Sequence, residues 1–411
     1  MKKLIMAQLG ARRHYAVPVM LNSIGALCLI YTDLYISSRM VRFLELISRF
    51  TGLKVLKKIS GRHSEYIEDS CVKYNFKLAV KYYLLRKFSR KSQDDIYNNI
   101  NKEFCLSLGH EDLKCSDGVY TFNSAGLEIM QKAKEMNKIC IMEQTIAPKI
   151  YESELLFSEY KKYGAWVDDH IKIHKNIEFE NREREEWKLA DSIICGSDFV
   201  KDLLIKYGVE KAKCLVIPSG VKINISKDDK LLYNGERKLR VLTVGTVNLR
   251  KGIQYTYQAA KKLEHIAEFR CVGKIELNNS AKHDISTFID LVGEVPRSEI
   301  SEHYKWADVF LLPSLCEGSA LSVYEALSFQ LPVICTYSTG SIIKNGVGGI
   351  IIPSHDASAI VDSIISLTNV DRYIALHSGI NDIVEEASFE SYQARWSEHM
   401  SSVLKEVEDD D

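Results

Sequence analysis

The sequence predicts an α/β protein made of two Rossmann-like, doubly wound domains. Its 411 residues are enough for two or three domains with sizeable cores. Short apolar runs alternate with helical segments, which is typical of parallel βα units. A polar stretch, KINISKDDKLLYNGERK (222–238), divides these units into two series. We interpret that stretch as a linker between the domains.

The first series, in residues 1–221, predicts the first domain. Its candidate strands are short apolar runs, namely KLIMAQLG (3–10), GVYTF (118–122), KICIMEQ (138–144), SIICGS (192–197) and CLVIPSG (214–220). The second series, in residues 239–384, predicts the second domain. Its candidate strands are LRVLTVG (239–245), EFRCVG (268–273), IDLVGEV (289–295), DVFLLPS (308–314), LPVICT (331–336) and GGIIIP (348–353).

The composition is that of an ordinary soluble globular protein, with 46% hydrophobic and 27% charged residues. A formal net charge of −1 gives no reason to expect nucleic acid as a partner. The ten cysteines show no CxxC pair, which argues against structural zinc and fits reduced thiols in a cytosol. The longest apolar stretch, 17–31, is too short and too polar to span a bilayer. We interpret the N-terminal MKKLIMAQLG as a first strand rather than a signal peptide.

Two glutamates flank a predicted helix start in LPSLCEGSALSVYEALSFQLPVI (312–334). Glu317 lies in a loop after an apolar run, and Glu325 lies about one turn into a helix that begins near Leu321 or Ser322. Ligands of doubly wound sheets bind at the carboxyl ends of strands, and a helix N-terminus favours phosphate. The two carboxylates therefore predict hydroxyl binding on both sides of a phosphate, as in a nucleotide sugar. The alternative is that Glu317 is a solvated acid of the loop and that Glu325 only favours the N-terminal turn of the helix.

A second loop carries two adjacent cations. In VLTVGTVNLRKGIQY (241–255), Arg250 and Lys251 follow a strand and a glycine. Cations at the carboxyl end of a strand can neutralise a diphosphate leaving group. Because adjacent loop residues seldom point the same way, we expect one of the two to be exposed and Lys251 to be the ligand. The alternative is that both lie on a solvated loop.

With these motifs, the chain resembles the family-4 glycosyltransferases of the GT-B architecture over about residues 190–396. The similar stretches are ADSIICGSDFVKDLL (190–204), VIPSGV (216–221), VGTVNLRKG (244–252), VGEVPRSEISEHYKWADVFLLPSLCEGSALSVYEALSFQLPVI (292–334), GVGGIIIP (346–353) and SFESYQARW (388–396). AQLGARRHYAVP (7–18) and MEQTIAP (142–148) are similar more loosely. The resemblance implies two Rossmann-like domains facing a cleft, with an acceptor-side first domain. It also implies a C-terminal segment (385–411) whose helix crosses back to the first domain before an acidic tail.

The resemblance implies roles for five residues of the second domain. Glu317 would bind hydroxyls of the donor sugar, and Glu325 would bind the ribose diol. Lys251 would bind the diphosphate. Gly318 and Ser319 would present backbone N–H groups to the sugar and phosphate.

Other loops would complete the donor site. By the resemblance, the nucleobase would meet Gly293, Glu294 and Val295, largely through the main chain. Gly10 would let the first loop of the chain approach the donor and acceptor.

Two positions depart from the family pattern. Thr246 stands where many members have an arginine, so the second cation of the donor site comes from Arg250 or is missing. Glu143 stands where many members have a histidine. His14, near Gly10, is a candidate substitute, or else a structural residue. The group that assists the acceptor is therefore open between Glu143 and His14.

The resemblance implies a retaining transfer from a nucleotide sugar to a hydroxyl of a glycan or lipid-linked glycan, in the synthesis of a cell-surface polysaccharide or glycolipid. The leaving phosphate could accept the proton, so catalysis rests on stabilising the departing diphosphate. We expect Glu317, Lys251 and Glu143 to be the catalytic residues. Since no DxD pair or metal-ligand cluster stands out, we predict that no metal or other cofactor is required.

Residues 39–102 are strongly basic, with 15 Lys/Arg against 6 Asp/Glu. Aromatic residues are interleaved, as in YNFKLAVKYYLLRKFSRK (74–91). One interpretation is a solvated helical face with an aromatic core stripe. The other is a patch that docks on anionic lipid or an anionic acceptor. The second predicts a cytoplasmic protein attached peripherally to the inner face of the cell membrane.

Two other function classes fit the sequence. One is a nucleotide-sugar isomerase or epimerase of similar architecture, which needs further acid and base residues in the cleft. The other is a non-catalytic nucleotide-sugar-binding protein, which the departures at Thr246 and Glu143 would permit. Incubation with nucleotide sugars separates them. A transferase releases nucleotide, an epimerase interconverts sugars, and a binder does neither.

Overall fold

Two parallel β-sheets form the framework of the protein, as a computed structural model of the chain shows. The structure describes residues 1–51, 56, 59–168, 176–223 and 232–406. Each sheet has helices on both faces, so its strands are covered on both sides. All five residues of the central strand Gly118–Phe122 are buried for this reason.

The first sheet takes its strands from the first half of the chain. The strands are β1 (Leu4–Ala7), β2 (Leu27–Thr32), β3 (Val72–Tyr74), β4 (Gly118–Phe122), β5 (Ile139–Gln144), β6 (Ser192–Cys195) and β7 (Cys214–Val216). The helices around it are α1 (Ala16–Ser23), α2 (Ser38–Thr51), α3 (Phe76–Phe88), α4 (Gln93–Ser107), α5 (His110–Leu113), α6 (Leu127–Glu135), α7 (Lys149–Tyr163), α8 (Ile177–Leu189) and α9 (Asp198–Lys206).

The second sheet follows the polar stretch. Its strands are β8 (Leu239–Val244), β9 (Ala267–Val272), β10 (Ile289–Gly293), β11 (Val309–Leu312), β12 (Val333–Thr336), β13 (Lys344–Asn345) and β14 (Gly348–Ile352). The helices of this half are α10 (Ile253–Lys262), α11 (Asn279–Ser286), α12 (Ile300–Trp306), α13 (Leu321–Ser328), α14 (Ala357–Leu367), α15 (Val370–Ser378) and α16 (Phe389–Glu406).

The strand orders are those of a doubly wound fold. Within the described residues, the strands pair in parallel in the orders β3-β2-β1-β4-β5-β6-β7 and β10-β9-β8-β11-β12-β14-β13. The direction of winding reverses between β1 and β4 and between β8 and β11. Such a reversal opens a crevice at the carboxyl ends of the two strands. The predicted fold class is confirmed.

The apolar stretch 17–31, which was predicted only not to span a bilayer, contains most of α1 and part of β2. β2 and the short β3 were therefore missed, although the remaining strands of the first sheet were predicted. No helix among the described residues is long and apolar enough to cross a membrane.

The C-terminal helix α16 packs on the first sheet's side of the molecule. Tyr392, Trp396 and Met400 are buried in the same core cluster as Leu4 and Tyr120. The ring centroids of Trp396 and Tyr120 lie 6.2 Å apart. Burying a Trp in a core stabilises a fold by about 3–5 kcal/mol relative to Ala, so α16 ties the end of the chain to its beginning.

Two predicted segments lie partly or wholly outside the described residues. Positions 224–231 of the predicted linker and the acidic tail 407–411 are among them. On the far side of that linker gap, Tyr233 is buried against Tyr373, with ring centroids 5.7 Å apart. The chain is therefore anchored as it enters the second sheet.

Helix α3 has two apolar faces. Leu78 is buried in the first domain's core, and Tyr82 and Leu85 pack against it. The opposite face carries an exposed stripe of Phe76, Val80, Tyr83, Leu84 and Phe88. Four of the five aromatic residues of 74–91 are exposed, so an aromatic core stripe does not explain this segment. Residues 52–55 and 57–58 of the basic stretch lie outside the described part of the chain.

Candidate active site

The loop after β8 is locked against the loop after β11. The Asn248 side chain accepts a hydrogen bond from the Lys251 N–H at 3.1 Å and so starts a 3-10 turn over Leu249–Lys251. Gly252 then takes a φ of +79°, and a Cβ there would lie 2.2 Å from the Pro313 carbonyl oxygen. Glycine is required here, and it brings the cation-bearing loop to the crevice beside β11.

Glu317 lies between the two cations. Its Oε1 is 2.7 Å from Arg250 Nη1 and 2.7 Å from Lys251 Nζ. Arg250 Nη1 also donates to the Cys316 carbonyl oxygen at 2.7 Å. The expectation that one cation would be exposed is wrong, because the 3-10 turn directs both side chains toward the same carboxylate. Burial disfavours the charge of Arg250, but Glu317 and Glu152 outweigh burial, and the pKa of Arg250 is raised.

Helix α13 begins at Leu321, as the sequence predicts, and Glu325 lies one turn inside it. The free N–H groups of its first turn face the end where Glu317 lies in the preceding loop. Tyr304 of α12 donates a hydrogen bond to Glu325 Oε2 at 2.9 Å, and its ring stacks on Phe329 at 5.0 Å. Burial, together with the neighbouring Glu325 charge, raises the pKa of Tyr304 well above its usual range. Tyr304 therefore remains a donor that orients Glu325.

Gly318 and Ser319 form a joint between the two halves. A Cβ on Gly318 would lie 1.9 Å from the Thr145 carbonyl oxygen. Ser197 Oγ donates to the Gly318 carbonyl oxygen at 2.6 Å, and the Ser219 N–H donates to Ser319 Oγ at 3.3 Å. Glycine is therefore needed at position 318 for close backbone contact across the domains. Sequence reasoning did not predict this requirement.

A buried network fixes the first-domain side of this joint. Asn123 Oδ1 accepts hydrogen bonds from Thr145 Oγ1 at 2.8 Å and from the Thr145 N–H at 3.2 Å. The Asn123 amide in turn donates to Glu183 Oε1 at 3.1 Å, as Gln144 does at 2.8 Å. Glu183 Oε2 accepts from the Lys149 N–H at 2.7 Å. The peptide that touches Gly318 is thus held by a carboxylate of α8.

A second buried carboxylate of α8 caps a helix. Glu186 accepts hydrogen bonds from the N–H groups of Ser124 at 2.6 Å, Gly126 at 2.9 Å and Leu127 at 3.0 Å. These are donors at the N-terminus of α6, where negative charge is favoured. Burial raises the pKa of Glu186 to about 8, against the opposing effect of Arg182 and the backbone donors.

The sequence of α8 carries a pattern that belongs to this network. Glu180, Glu183 and Glu186 recur every three residues in α8 and are all buried. Acids at that spacing share one helix face. A row of acids on one face is ordinarily solvated, so the pattern alone did not reveal burial.

The first loop of the chain carries backbone strain. Gly10 has φ +79°, and its N–H donates to Asp33 Oδ1 at 2.8 Å. Arg13, His14 and Tyr15 follow with φ values of +46°, +53° and +64°. Consecutive non-glycine residues in the left-handed region are costly and tend to occur at functional sites. This loop follows β1 and lies at the crevice of the first sheet.

Glu143, at the end of β5, is buried, and each of its two oxygens has a partner. Its Oε1 is 3.0 Å from Arg13 Nη2, and Tyr120 donates to its Oε2 at 2.9 Å. Arg13 Nη1 also donates to the Tyr392 hydroxyl at 2.7 Å. In this arrangement Glu143 holds the strained loop through Arg13, and both of its oxygens are occupied.

His14 is exposed, and its Nε2 lies 3.5 Å from Arg297 Nη1 of the second half. The two residues therefore face each other across the domains. Arg297 follows β10, four positions after Gly293 and three after Glu294. Sequence reasoning did not single it out.

The remaining predicted donor residues lie in loops at the carboxyl ends of strands. Thr246 is half-buried and follows Gly245, the residue after β8. Gly293 has φ +85°, Glu294 is exposed and Val295 is half-buried. The structure thus joins Glu317, Arg250 and Lys251 by direct contact, whereas these loop residues share only the edge of the sheet. Within the described part of the chain, no group of three or more His, Cys, Asp or Glu side chains is placed to hold a metal.

The fold agrees with the comparisons to known proteins. Residues 238–369 match the family model described as "Glycosyl transferases group 1". The resemblance found in the motifs is confirmed to this extent.

Several of the curated relatives are glycosyltransferases by name. The chain is 29% identical over 204 residues to the UDP-Gal:alpha-D-GlcNAc-diphosphoundecaprenol alpha-1,3-galactosyltransferase of Escherichia coli, covering 44% of this chain and 52% of that protein. It is 26% identical over 207 residues to alpha-monoglucosyldiacylglycerol synthase of Streptococcus pneumoniae, covering 45% and 47%. The chain thus spans about half the length of the curated relatives it matches.

Solved structures share the whole fold. The Anabaena protein Alr3699/HepE, crystallised with UDP, has a TM-score of 0.61 at 13% identity, over 98% of this chain and 100% of that one. Sucrose-phosphate synthase of Thermosynechococcus elongatus has a TM-score of 0.59 at 15% identity, over 98% and 100%. The protein therefore has the GT-B fold of two Rossmann-like domains.

The joint at Gly318 gives a first prediction. In Gly318→Ala, the new Cβ meets the Thr145 carbonyl oxygen, so the domains must shift locally. We expect the free energy of unfolding in urea to fall by about 1–3 kcal/mol, the usual range for overpacking. Gly109→Ala is the control, since its Cβ would meet nothing closer than 3.7 Å. Equal free energies of unfolding for the two variants would contradict the close packing of Gly318 against Thr145.

Proposed function

We propose that the protein is a glycosyltransferase that moves a sugar from a nucleotide sugar to a hydroxyl acceptor. The observation that carries the proposal is the cluster of Glu317 and Lys251 at the switch point of the second sheet, beside the N-terminus of α13. A diphosphate needs cations and N–H donors, and a sugar needs a carboxylate beside them. The crevice between the β8 and β11 loops supplies all three.

The parts of the donor would follow the order of these groups. The diphosphate lies at Lys251 and the first N–H groups of α13, where the helix dipole favours negative charge. The sugar hydroxyls meet Glu317, and the ribose diol meets Glu325, which Tyr304 orients. Stabilisation of the departing diphosphate is the main catalytic term, since charge develops there as the glycosidic bond breaks.

The transfer is proposed to retain the anomeric configuration. The bond from the anomeric carbon to the phosphate oxygen breaks, the acceptor oxygen bonds to that carbon, and the leaving phosphate takes the acceptor's proton on the same face. The engagement of both Glu143 oxygens supports a mechanism that needs no protein base. Lys251 and the α13 N–H groups neutralise the leaving group, so we propose that no metal is required.

The donor and acceptor are proposed from the relatives. A UDP-sugar is the first donor to test, because the E. coli relative is named for UDP-Gal and Alr3699/HepE was crystallised with UDP. One named relative acts on a diphosphoundecaprenol-linked sugar, one makes a glucosyldiacylglycerol, and the Erwinia amylovora relative acts in amylovoran biosynthesis. A lipid-linked glycan or polysaccharide is the corresponding acceptor class here.

Incubation with a panel of UDP-sugars tests the function. Slow UDP release without acceptor, accelerated by lipid-linked glycans, supports transfer. The same anomeric configuration in the product as in the donor, determined by NMR, supports retention. Sugar interconversion without UDP release would indicate an epimerase, and binding without either reaction would indicate a non-catalytic binder.

The exposed stripe of α3 supports attachment to a membrane surface. Phe76, Tyr83 and Phe88 are 58%, 62% and 70% exposed. Two exposed lysines of the same helix, Lys77 and Lys87, lie beside them. Lys87 Nζ is 5.3 Å from the Phe88 ring centroid. An apolar helix face flanked by lysines suits an anionic lipid interface, where each cation contributes about 1 kcal/mol. We propose peripheral attachment at the inner face of the cell membrane, near a lipid-linked acceptor.

The diphosphate assignment predicts the effect of Lys251→Ala. Losing one preorganised charge at the leaving group should lower turnover of the UDP-sugar by about one to three orders of magnitude. Lys262→Ala, an exposed lysine of α10, is the matched control and should retain full turnover. Unchanged turnover in Lys251→Ala would move the role to Arg250.

The ribose assignment predicts a different effect for Glu325→Ala. Removing the carboxylate should weaken binding of free UDP by about tenfold or more, since a hydrogen-bonded charged group is lost. Glu317→Ala should instead depress turnover with a milder effect on UDP affinity. Calorimetric titration with UDP distinguishes the two. If wild type and Glu325→Ala bind UDP equally well, the ribose lies elsewhere.

The membrane proposal predicts co-sedimentation with anionic vesicles that weakens as salt rises, because the lysines are screened. Leu84→Asp with Phe88→Asp should abolish it, while Ile365→Asp with Ile374→Asp, at exposed positions of the second half, should not. The membrane proposal is contradicted if the protein is recovered in the supernatant equally with neutral and anionic vesicles at both salt concentrations.

A further inference from the structure

A chain of alternating charges crosses from the first half of the protein into the candidate active site. The consecutive contacts are Asp94–Lys149 at 3.0 Å, Lys149–Glu152 at 3.0 Å, Glu152–Arg250 at 3.8 Å, Arg250–Glu317 at 2.7 Å and Glu317–Lys251 at 2.7 Å. Asp94 belongs to α4, and Lys149 and Glu152 belong to the first turn of α7. Three anions and three cations leave the chain neutral.

None of these side chains is free in solvent. Their exposed fractions lie between 8% for Lys149 and 23% for Asp94. Charges at such burial must be paired, and removing one partner leaves its neighbour uncompensated. The position of Arg250 therefore depends on Glu152, a residue of the first domain.

Arg250 is built into the site from two sides. Its Nη1 donates to both the Cys316 carbonyl oxygen and Glu317 Oε1, and its own carbonyl oxygen accepts from the Leu315 N–H at 2.8 Å. Its Nε faces Glu152. A guanidinium can serve several acceptors in fixed directions, which an ammonium group cannot do as well. Arg250 thus clasps the segment that carries Glu317.

Lys251 is held differently. Its ammonium contacts only Glu317 Oε1 among the described residues, and its stem lies along Gly245, where a Cβ would be 3.5 Å from Lys251 Cε. A lysine on a flexible stem can exchange one carboxylate for a phosphate oxygen without disturbing the backbone. Arg250 would have to give up Glu317, Cys316 and Glu152 to do the same.

We infer that Arg250 is a positioning residue for Glu317 rather than a ligand of the diphosphate, and that Glu152 of the first domain orients Arg250. This rests on the proposed function, because it assigns the diphosphate to Lys251 and the sugar to Glu317. Among the described residues none forms a hydrogen bond or ion pair with Glu317 Oε2, so Arg250 holds Oε1 and leaves Oε2 for the sugar. Alignment of the sugar then depends on contact between the domains.

The test separates nucleotide affinity from turnover in the full chain. UDP affinity is measured by calorimetry, and kcat is measured as UDP release from the UDP-sugar on which wild type is fastest. In Arg250→Gln we expect the Kd for UDP to change by less than about threefold and kcat to fall by about tenfold to a hundredfold, the scale of losing a hydrogen bond to a charged group. In Lys251→Gln the Kd for UDP should rise about tenfold or more.

Three further variants test positioning. Glu152→Gln should lower kcat in the same direction by a smaller factor, while Glu154→Gln on the same helix should not. The Arg250→Gln/Glu317→Gln double variant should be no slower than the worse single variant, because both act through one carboxylate. Arg250→Lys should restore part of kcat, and it also covers the case in which Arg250→Gln fails to fold.

An Arg250→Gln enzyme that loses UDP affinity as strongly as Lys251→Gln would overturn the inference and make Arg250 a diphosphate ligand. Additive losses in the double variant, or full activity in Glu152→Gln, would also overturn it. If wild type neither binds a nucleoside diphosphate nor releases one from any nucleotide sugar, the proposed function fails, and the inference fails with it.

Discussion

The close approach of the Gly318 backbone to Thr145 is the constraint on which the rest of the site depends. Only a residue without a side chain allows this contact, since a Cβ would lie 1.9 Å from the Thr145 carbonyl oxygen. The contact places Glu317, the preceding residue, at the border between the two sheets. It also explains the buried polar network behind Thr145, because a peptide that touches the other domain must be held still. Asn123 and the Glu183 carboxylate hold it through hydrogen bonds that are partly or fully buried.

Electrostatics then decides what the crevice can do. The charges around Glu317 alternate and nearly cancel, so the apo site holds its cations without an unpaired buried charge. Lys251 has one protein partner and Arg250 has several. That difference makes one cation exchangeable and the other structural. An incoming diphosphate adds negative charge where Lys251 and the α13 N-terminus already favour it. The same arrangement leaves little work for a protein base, which is consistent with Glu143 serving to hold Arg13.

Sequence reasoning predicted the fold class, most strands and the start of α13 because these follow from local apolar patterns and turn residues. It also singled out Glu317, Lys251 and Arg250, since their spacing relative to strands and a helix is local. It missed β2, β3 and the two-residue β13, which have weaker or shorter patterns. It could not place Glu152, Thr145 or Tyr304 at the site, because their roles arise only when distant segments meet. The wrong expectation for Arg250 arose from assuming extended loop geometry, whereas Asn248 closes a 3-10 turn that aligns both cations.

A crystal structure of the protein with UDP tests the central claim most directly, namely that the crevice between the β8 and β11 loops is the donor site. The account predicts a diphosphate oxygen about 3 Å from Lys251 Nζ and beside the first N–H groups of α13. It predicts the ribose hydroxyls on Glu325, with Arg250 still bonded to Glu317. A diphosphate bound outside this crevice, or bound to Arg250 while Lys251 stays on Glu317, would contradict the account.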